Sequence, residues 1–157
     1  KKAEPKKVEP KKEEAKAEVK TEAKAEEPKK EAVAAASNAR SGEEVYNSVC
    51  MACHQMGGTG LEGVYPPLAG SDWMAKSNEV LSKIVLHGLM GEIEVAGKKY
   101  NSVMTPQGSM LNDQEIANVL TYVRSSWGNK GAAVTAEEVK AVRDANPGHG
   151  PWNASEL

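Results

Sequence analysis

The chain has 157 residues, of which 20 are Lys or Arg and 22 are Asp or Glu, so its formal net charge is −2. This near balance gives no support for nucleic-acid binding, which is typical of chains with a clear basic excess. No apolar run approaches the roughly 20 residues that a membrane-spanning helix needs.

Residues 1–38 consist almost entirely of Lys, Glu, Ala and Pro, with no aromatic or long apolar side chain. Such a segment cannot bury enough surface to offset the entropy lost on ordering. A stable helix is disfavoured, because Lys16, Lys20 and Lys24 would place like charges at i+4 spacing. We predict a disordered tether over 1–38, a folded domain over 39–130, and an extension with one short helix over 131–157.

Sequence patterns predict a first helix that opens at a capping box formed by Ser41 and Glu44 and runs into the segment around residue 54. Its inward face carries Val45, Tyr46 and Val49. A second helix is expected after Ser77 as N-cap, with Gly88 at its end. Its buried stripe contains five apolar residues: Val80, Leu81, Ile84, Val85 and Leu86.

The second half of the chain predicts a small hairpin and two further helices. Alternation around a Gly turn over residues 93–100 indicates the hairpin. Asn112 and Glu115 form a capping box, and the helix that follows ends at Gly128. One face of this helix carries Ile116, Val119, Leu120, Val123 and Trp127. Thr135 caps a short last helix, and the final ten residues are expected to be irregular because of their Pro and Gly content.

One short motif identifies a cofactor. Cys50 and Cys53 are the only cysteines, and with His54 they form the C-x-x-C-H pattern of covalent haem c attachment. The two thiols add to the two vinyl groups of the haem, and the adjacent imidazole can bind the iron. The folded part has no Phe and few other aromatic residues, so a buried porphyrin would supply apolar bulk that the core lacks.

Three other interpretations of the motif are weaker. A structural zinc site needs four ligands, usually in two clusters, and His87 and His149 stand alone. A redox C-x-x-C is expected near a βαβ pattern, which the sequence lacks. A disulfide across two intervening residues would be strained and would not require His54.

Taken together, these features resemble class I cytochrome c over about residues 40–130. A helix that ends in the haem motif, a Pro-containing loop, a middle helix, a Met-containing loop and an amphipathic last helix occur in the order of that family. The stretches 64–69 and 101–104, together with 116–123 and 126–129, are similar to a periplasmic subgroup. The resemblance implies an all-α cytochrome c fold in which the first and last helices cross.

The resemblance also assigns roles to particular residues. Pro66 matches the proline whose carbonyl accepts a hydrogen bond from the proximal imidazole, which orients that ligand. Gly42 and Tyr46 match a Gly-x-x-x-aromatic pattern on the first helix, and Tyr122 matches the aromatic residue on the last. The small glycine would let these two helices cross closely.

The sixth iron ligand implied by the resemblance is a methionine. Met104 lies 18 residues before Tyr122, close to the spacing in relatives, and is the expected ligand. Met110 is the alternative, and His87 is a weaker one, since a solvent-facing position near a helix end is expected for it. Thr105 separates Met104 from the proline that directly follows the ligand in many relatives.

We therefore expect an electron-transfer protein with one covalently bound haem c, His54 and Met104 as axial ligands, and iron that cycles between Fe(III) and Fe(II) without enzymatic activity. Two alternatives stay open. The chain could be a haem domain or subunit of a larger oxidoreductase, or a haem enzyme or gas-binding domain with a labile sixth site.

Haem c attachment implies export, so a periplasmic location is expected. A signal peptide or a membrane anchor would precede residue 1, and the tether could then keep the haem domain near a membrane. The expected partners are redox proteins, which in the resembling subgroup include copper nitrite reductases, quinoprotein dehydrogenases and terminal oxidases.

Overall fold

The computed structural model describes residues 38–157, so the predicted tether over 1–38 lies almost wholly outside the described residues. Four helices dominate this part of the chain. None of the helices in residues 38–157 is both long and apolar enough to cross a membrane.

The first helix, α1, covers residues 42–54 in three consecutive segments: the α-helix Gly42–Val45, the π-helix Tyr46–Cys50 and the α-helix Met51–His54. The predicted capping box is confirmed, because Ser41 accepts from the Glu44 N–H and the Glu44 side chain accepts from the Ser41 N–H. The π segment was not predicted. Such wide turns are frequent at functional sites, and this one ends at the first cysteine of the haem motif.

Helix α2 spans Asn78–His87, with Ser77 as N-cap and Gly88 as C-cap, as predicted. Leu81, Ile84 and Leu86 are buried. His87 is buried as well, with 8% of its surface exposed, so the solvent-facing position expected for it is wrong. It is covered by the C-terminal segment, whose His149 carbonyl accepts a hydrogen bond from its ring.

Helix α3 spans Asp113–Ser125 and begins at the predicted capping box of Asn112 and Glu115. It packs across the first turns of α1. The predicted face is wrong at one position, since the helix ends before Trp127. That residue has a positive φ of 53°, and its ring packs on Tyr46 with centroids 4.9 Å apart.

Helix α4, Ala136–Ala145, is capped by Thr135 as predicted and packs on α2 and α3. Val139 and Val142 are buried beneath it. The remaining helical pieces are short 3-10 turns at Met56–Gly58, Asp72–Ala75 and Ala154–Glu156.

Two small sheets correct the all-α expectation. Strands β2 (Ile93–Val95) and β3 (Lys98–Tyr100) form the predicted antiparallel hairpin. Strand β1 (Leu89–Met90) pairs in parallel with β4 (Trp152–Asn153). The final ten residues are therefore not irregular throughout, because β4 completes a sheet that begins at the end of α2.

Candidate haem site

A largely apolar cleft lies between α1, α2, α3 and the loops that join them. Its deeper part is lined almost wholly by apolar side chains, as cofactor pockets commonly are. A second part adjoins it and is lined by residues 100 and 102–105. Both parts share six lining residues, namely Cys50, His54, Pro66, Leu89, Ile93 and Met104.

His54, the last residue of α1, has a well-defined tautomer. Its Nδ1 lies 2.9 Å from the Pro66 carbonyl oxygen, which can only accept, so Nδ1 carries the proton and Nε2 is the free lone pair. Burial lowers the pKa of His54 below its ordinary value, and the bond to Pro66 opposes part of that shift. The imidazole is thus neutral near pH 7, which is the form that binds metals.

The loop between α1 and α2 brings Pro66 to His54 by close backbone contacts. Gly60 donates to the His54 carbonyl at 2.8 Å, and Leu61 and Tyr65 form an antiparallel bridge. A Cβ on Gly60 would lie 2.8 Å from the Pro66 carbonyl oxygen. Only glycine fits at this position, for two reasons. Its φ of +65° is unfavourable for other residues, and the neighbouring backbone leaves no room for a Cβ.

The two cysteines differ in exposure. Cys50 is half-buried and lines both parts of the cleft, whereas Cys53 is exposed and lines only the second part. Neither cysteine forms a disulfide. Burial raises the pKa of the Cys50 thiol to about 11, so a thiolate is disfavoured at this position. An uncharged thioether suits such surroundings, and this fits covalent attachment of a haem.

Tyr46 holds the end of the haem motif. Its hydroxyl donates to the Gln55 carbonyl at 2.6 Å, and burial raises its pKa to about 12, so the donor proton stays in place. Gln55 itself has φ of 62°, an unfavourable backbone conformation for a non-glycine residue. The buried tyrosine thus fixes the residue that follows His54.

The methionines occupy different surroundings. Met104 is half-buried and lines both parts of the cleft, and Met74 is buried and lines the deeper part alone. Met110 is 63% exposed and lines a separate surface groove. Met56 and Met90 are also exposed. Within residues 38–157, Met104 is the methionine that shares the whole cleft with His54.

His87, the weaker alternative ligand, does not line the cleft. The zinc interpretation also lacks support, because residues 38–157 contain no group of three or more His, Cys, Asp or Glu side chains that could hold a metal ion.

Sequence reasoning missed Arg124, which supports one wall of the cleft. This residue is 5% exposed, and its guanidinium donates to the carbonyls of Met74 and Lys76 and to the Asn78 side chain. It therefore fixes the segment that carries Trp73 and Met74 into the cleft. A basic residue near a helix C-terminus has an ordinary explanation in the helix dipole, so no sequence pattern indicated this role.

Comparison with known proteins identifies the family. A profile described as "Cytochrome C oxidase, cbb3-type, subunit III" matches residues 37–123. A cytochrome c-552 of Thermus thermophilus is 44% identical over 65% of this chain and 83% of its own length. The chain belongs to the cytochrome c family. It carries covalently bound haem c, and its role is electron transfer.

Other relatives are named as subunits of larger assemblies. The cytochrome c subunit of a quinone alcohol dehydrogenase from Gluconacetobacter polyoxogenes is 34% identical over 72% of this chain, but the match covers only 25% of that subunit. Subunit CcoP of a cbb3-type cytochrome c oxidase from Azospirillum brasilense is 31% identical over 67% of this chain and 36% of its own length. The cytochrome c domain thus occurs both in a small cytochrome and within longer subunits.

Proposed function

We propose that the chain is a monohaem electron carrier in which Cys50 and Cys53 hold the haem through thioether bonds and His54 and Met104 are the axial ligands. The observation that carries this proposal is that His54, with its Nδ1 bonded to Pro66, and Met104 line the same apolar cleft. The bound haem would supply a one-electron Fe(III)/Fe(II) couple.

The chain's own residues would keep that couple reversible by holding both ligands rigidly. The Pro66 carbonyl orients His54 and makes the imidazole a stronger donor. The Met104 backbone is paired with Leu89 on one side of the cleft. A methionine thioether in the sixth position favours a higher reduction potential than a second histidine would.

The apolar lining of the deeper part would exclude water from the iron. Leu81, Ile84, Val119 and Leu120 line it, with Ser71 and His54 as its few polar groups. A low dielectric around the iron resists the extra positive charge of the ferric state. Electrons would enter and leave at the second part of the cleft, where Cys53 is exposed.

We further propose a periplasmic location, because haem c is attached outside the cytoplasm. The donors and acceptors would be redox proteins such as a quinoprotein dehydrogenase, a terminal oxidase or a copper nitrite reductase. The named relatives favour the first two classes. The same relatives favour a second candidate function, in which the chain is the haem domain of a larger oxidoreductase.

The proposal is tested by the spectrum of the holoprotein. A low-spin ferric form with a methionine-sulfur-to-iron charge-transfer band, and a ferrous form that does not bind carbon monoxide, are expected. High-spin iron with ready carbon monoxide binding would instead indicate a haem enzyme or gas-binding domain.

Met104→Ala and Met110→Ala are matched variants for the ligand assignment. The first is expected to abolish the charge-transfer band, whereas the second retains it because Met110 lies outside the cleft. The opposite pattern would assign Met110 as the ligand.

A further inference from the structure

The segment that carries Met104 is tied down at both ends by backbone hydrogen bonds. At one end Met104 exchanges two such bonds with Leu89. At the other end the Gln107 N–H donates to the Val85 carbonyl at 2.9 Å. A Cβ on Gly88 would overlap the Met104 carbonyl oxygen, so the end of α2 lies directly behind the segment. The segment can consequently open only outward, away from α2.

Thr105 and Pro106 lie between these two anchors and have no backbone hydrogen bond within residues 38–157. Both residues are exposed, and Pro106 has no N–H to donate. Thr105, which directly follows Met104, does not have the fixed φ of a proline. The backbone alone therefore leaves the residue next to the candidate ligand unrestrained.

The side chain of Gln107 closes this gap. Its Nε2 donates to the Thr105 carbonyl at 3.0 Å and lies 3.1 Å from the Thr105 Oγ1. Gln107 is half-buried and lines the second part of the cleft together with Met104. The amide of Gln107 thus links the far anchor of the segment to the residue that follows Met104.

The orientation of this amide is set by Thr105. If the amide were turned over, its Oε1 would face the Thr105 carbonyl oxygen, and two acceptors cannot bond to each other. In the observed orientation Oε1 is buried and has no hydrogen-bond partner among residues 38–157, which is costly for a polar atom. The amide therefore takes the orientation that restrains Thr105, although its own oxygen stays unpaired.

We propose that Gln107 is a positioning residue for the sixth ligand, because its amide holds the Met104–Gln107 segment closed against the cleft. This inference rests on the proposed function, in which Met104 binds the iron. The methionine can leave the iron only when its segment opens locally, and each hydrogen bond that ties the segment makes this opening rarer. One such bond between neutral groups changes an opening equilibrium by about fivefold.

Displacement of the methionine by imidazole is the test. Excess imidazole is mixed with the ferric holoprotein, and the rate is followed as loss of the methionine-to-iron band. Imidazole can bind the iron only after Met104 has left, so the rate reports opening of the segment. Gln107→Leu keeps the size of the side chain but cannot donate, and it is expected to raise the rate about tenfold. An unchanged rate would overturn the proposal.

Gln114→Leu is the matched control. Gln114 lies on α3, donates to the Asn118 side chain at 2.9 Å and does not line the cleft. Its loss removes a similar hydrogen bond elsewhere and should change the displacement rate by less than about twofold. Urea denaturation of both variants gives their free energies of unfolding. If displacement followed global stability in both variants alike, Gln107 would have no particular effect on Met104 and the proposal would be overturned.

Thr105→Val is a second variant, at an exposed position where folding is not at risk. It removes the Oγ1 that accepts from Gln107 and keeps the carbonyl. The displacement rate should rise about threefold in the otherwise unsubstituted protein, and should not rise further in Gln107→Leu, where the bond is already absent. Equal increases in both backgrounds would overturn the proposal. If Gln107→Leu does not fold, Thr105→Val decides alone, and an unchanged rate would then overturn it.

Failure of the proposed function gives a different result. The unsubstituted holoprotein would then lack the methionine-to-iron band, or Met104→Ala would retain it. The present inference fails by itself when the band depends on Met104 but its displacement by imidazole does not depend on Gln107.

Discussion

Leu89 and Met104 lie side by side as an antiparallel pair, joined by backbone hydrogen bonds of 3.1 Å and 2.9 Å. On its other edge Leu89 pairs with Trp152, and the Trp152 N–H donates to the Gly88 carbonyl at 3.1 Å. The candidate sixth ligand is thus one strand away from the C-terminal strand β4.

When residues 152–157 are removed, Met104 is therefore expected to detach from the iron on heating at a lower temperature than the domain unfolds. Without β4, β1 becomes an unsupported edge for the Met104 segment. The methionine-to-iron band should disappear on heating at a lower temperature than the helical circular dichroism, whereas both are lost together in the full chain. The control, which lacks only residues 154–157, keeps β4 and should behave as the full chain does; early band loss in both truncations would contradict this role of β4.

Burial of His87 makes stability depend on pH. Its Nδ1–H donates to the His149 carbonyl at 3.1 Å, and its Nε2 has no hydrogen-bond partner among the described residues. Burial lowers the pKa of His87, and the nearby charges of His149 and Arg143 add to that shift. The unfolded chain then binds the proton more readily than the folded one. This contribution to stability is complete above the unfolded pKa of about 6.5 and is lost as the pH falls below it.

His87→Asn is the matching variant, because its amide can still donate to the His149 carbonyl but does not titrate. We expect its free energy of unfolding, measured in urea between pH 7 and pH 5, to fall less steeply than that of the unsubstituted protein. The difference in slope cannot exceed about 1.4 kcal/mol per pH unit for one proton. Parallel curves would show that His87 titrates alike in the folded and unfolded chains.

Gly42 sets the approach of α1 to α3. A Cβ at this position would overlap the Asn118 carbonyl oxygen and lie 2.6 Å from the Cβ of Tyr122. Gly42→Ala is expected to destabilise the protein by about 1–3 kcal/mol, as overpacked core sites do. Gly150→Ala is the control, since nothing lies within 4 Å of its added Cβ, and it should change stability by no more than about 0.5 kcal/mol. Urea denaturation measures both.

Ala96 occupies an unfavourable conformation in the hairpin turn between β2 and β3. Its φ is +50°, followed by Gly97 with φ of +76°, and two-residue turns of this type favour Asn-Gly. Ala96→Asn should stabilise the protein by about 0.5–1 kcal/mol, because asparagine tolerates the left-handed region better than alanine. Ala132→Asn, at a site without positive φ, should bring no such gain; a loss of stability in Ala96→Asn would contradict the turn assignment.

Local signals in the sequence determined much of the fold and part of the site. The capping residues Ser41, Ser77, Asn112 and Thr135 mark helix starts because each acts on backbone groups two or three residues away. The haem motif is likewise complete within five residues. The hydrogen bond from His54 to Pro66 spans only a short loop, and the sequence predicts this contact through the family resemblance.

Only the tertiary structure decided the surroundings of Met104, His87 and Trp127. Leu89 pairs with a residue 15 positions later and with another 63 positions later, and no periodicity within either segment encodes such partners. His87 is buried because the segment that follows α4 covers it. Trp127 lies beyond the end of α3, and its ring packs on Tyr46. The sequence determined where a haem is attached, because that chemistry is local. The fold decided which methionine shares its cleft, because that depends on distant segments meeting.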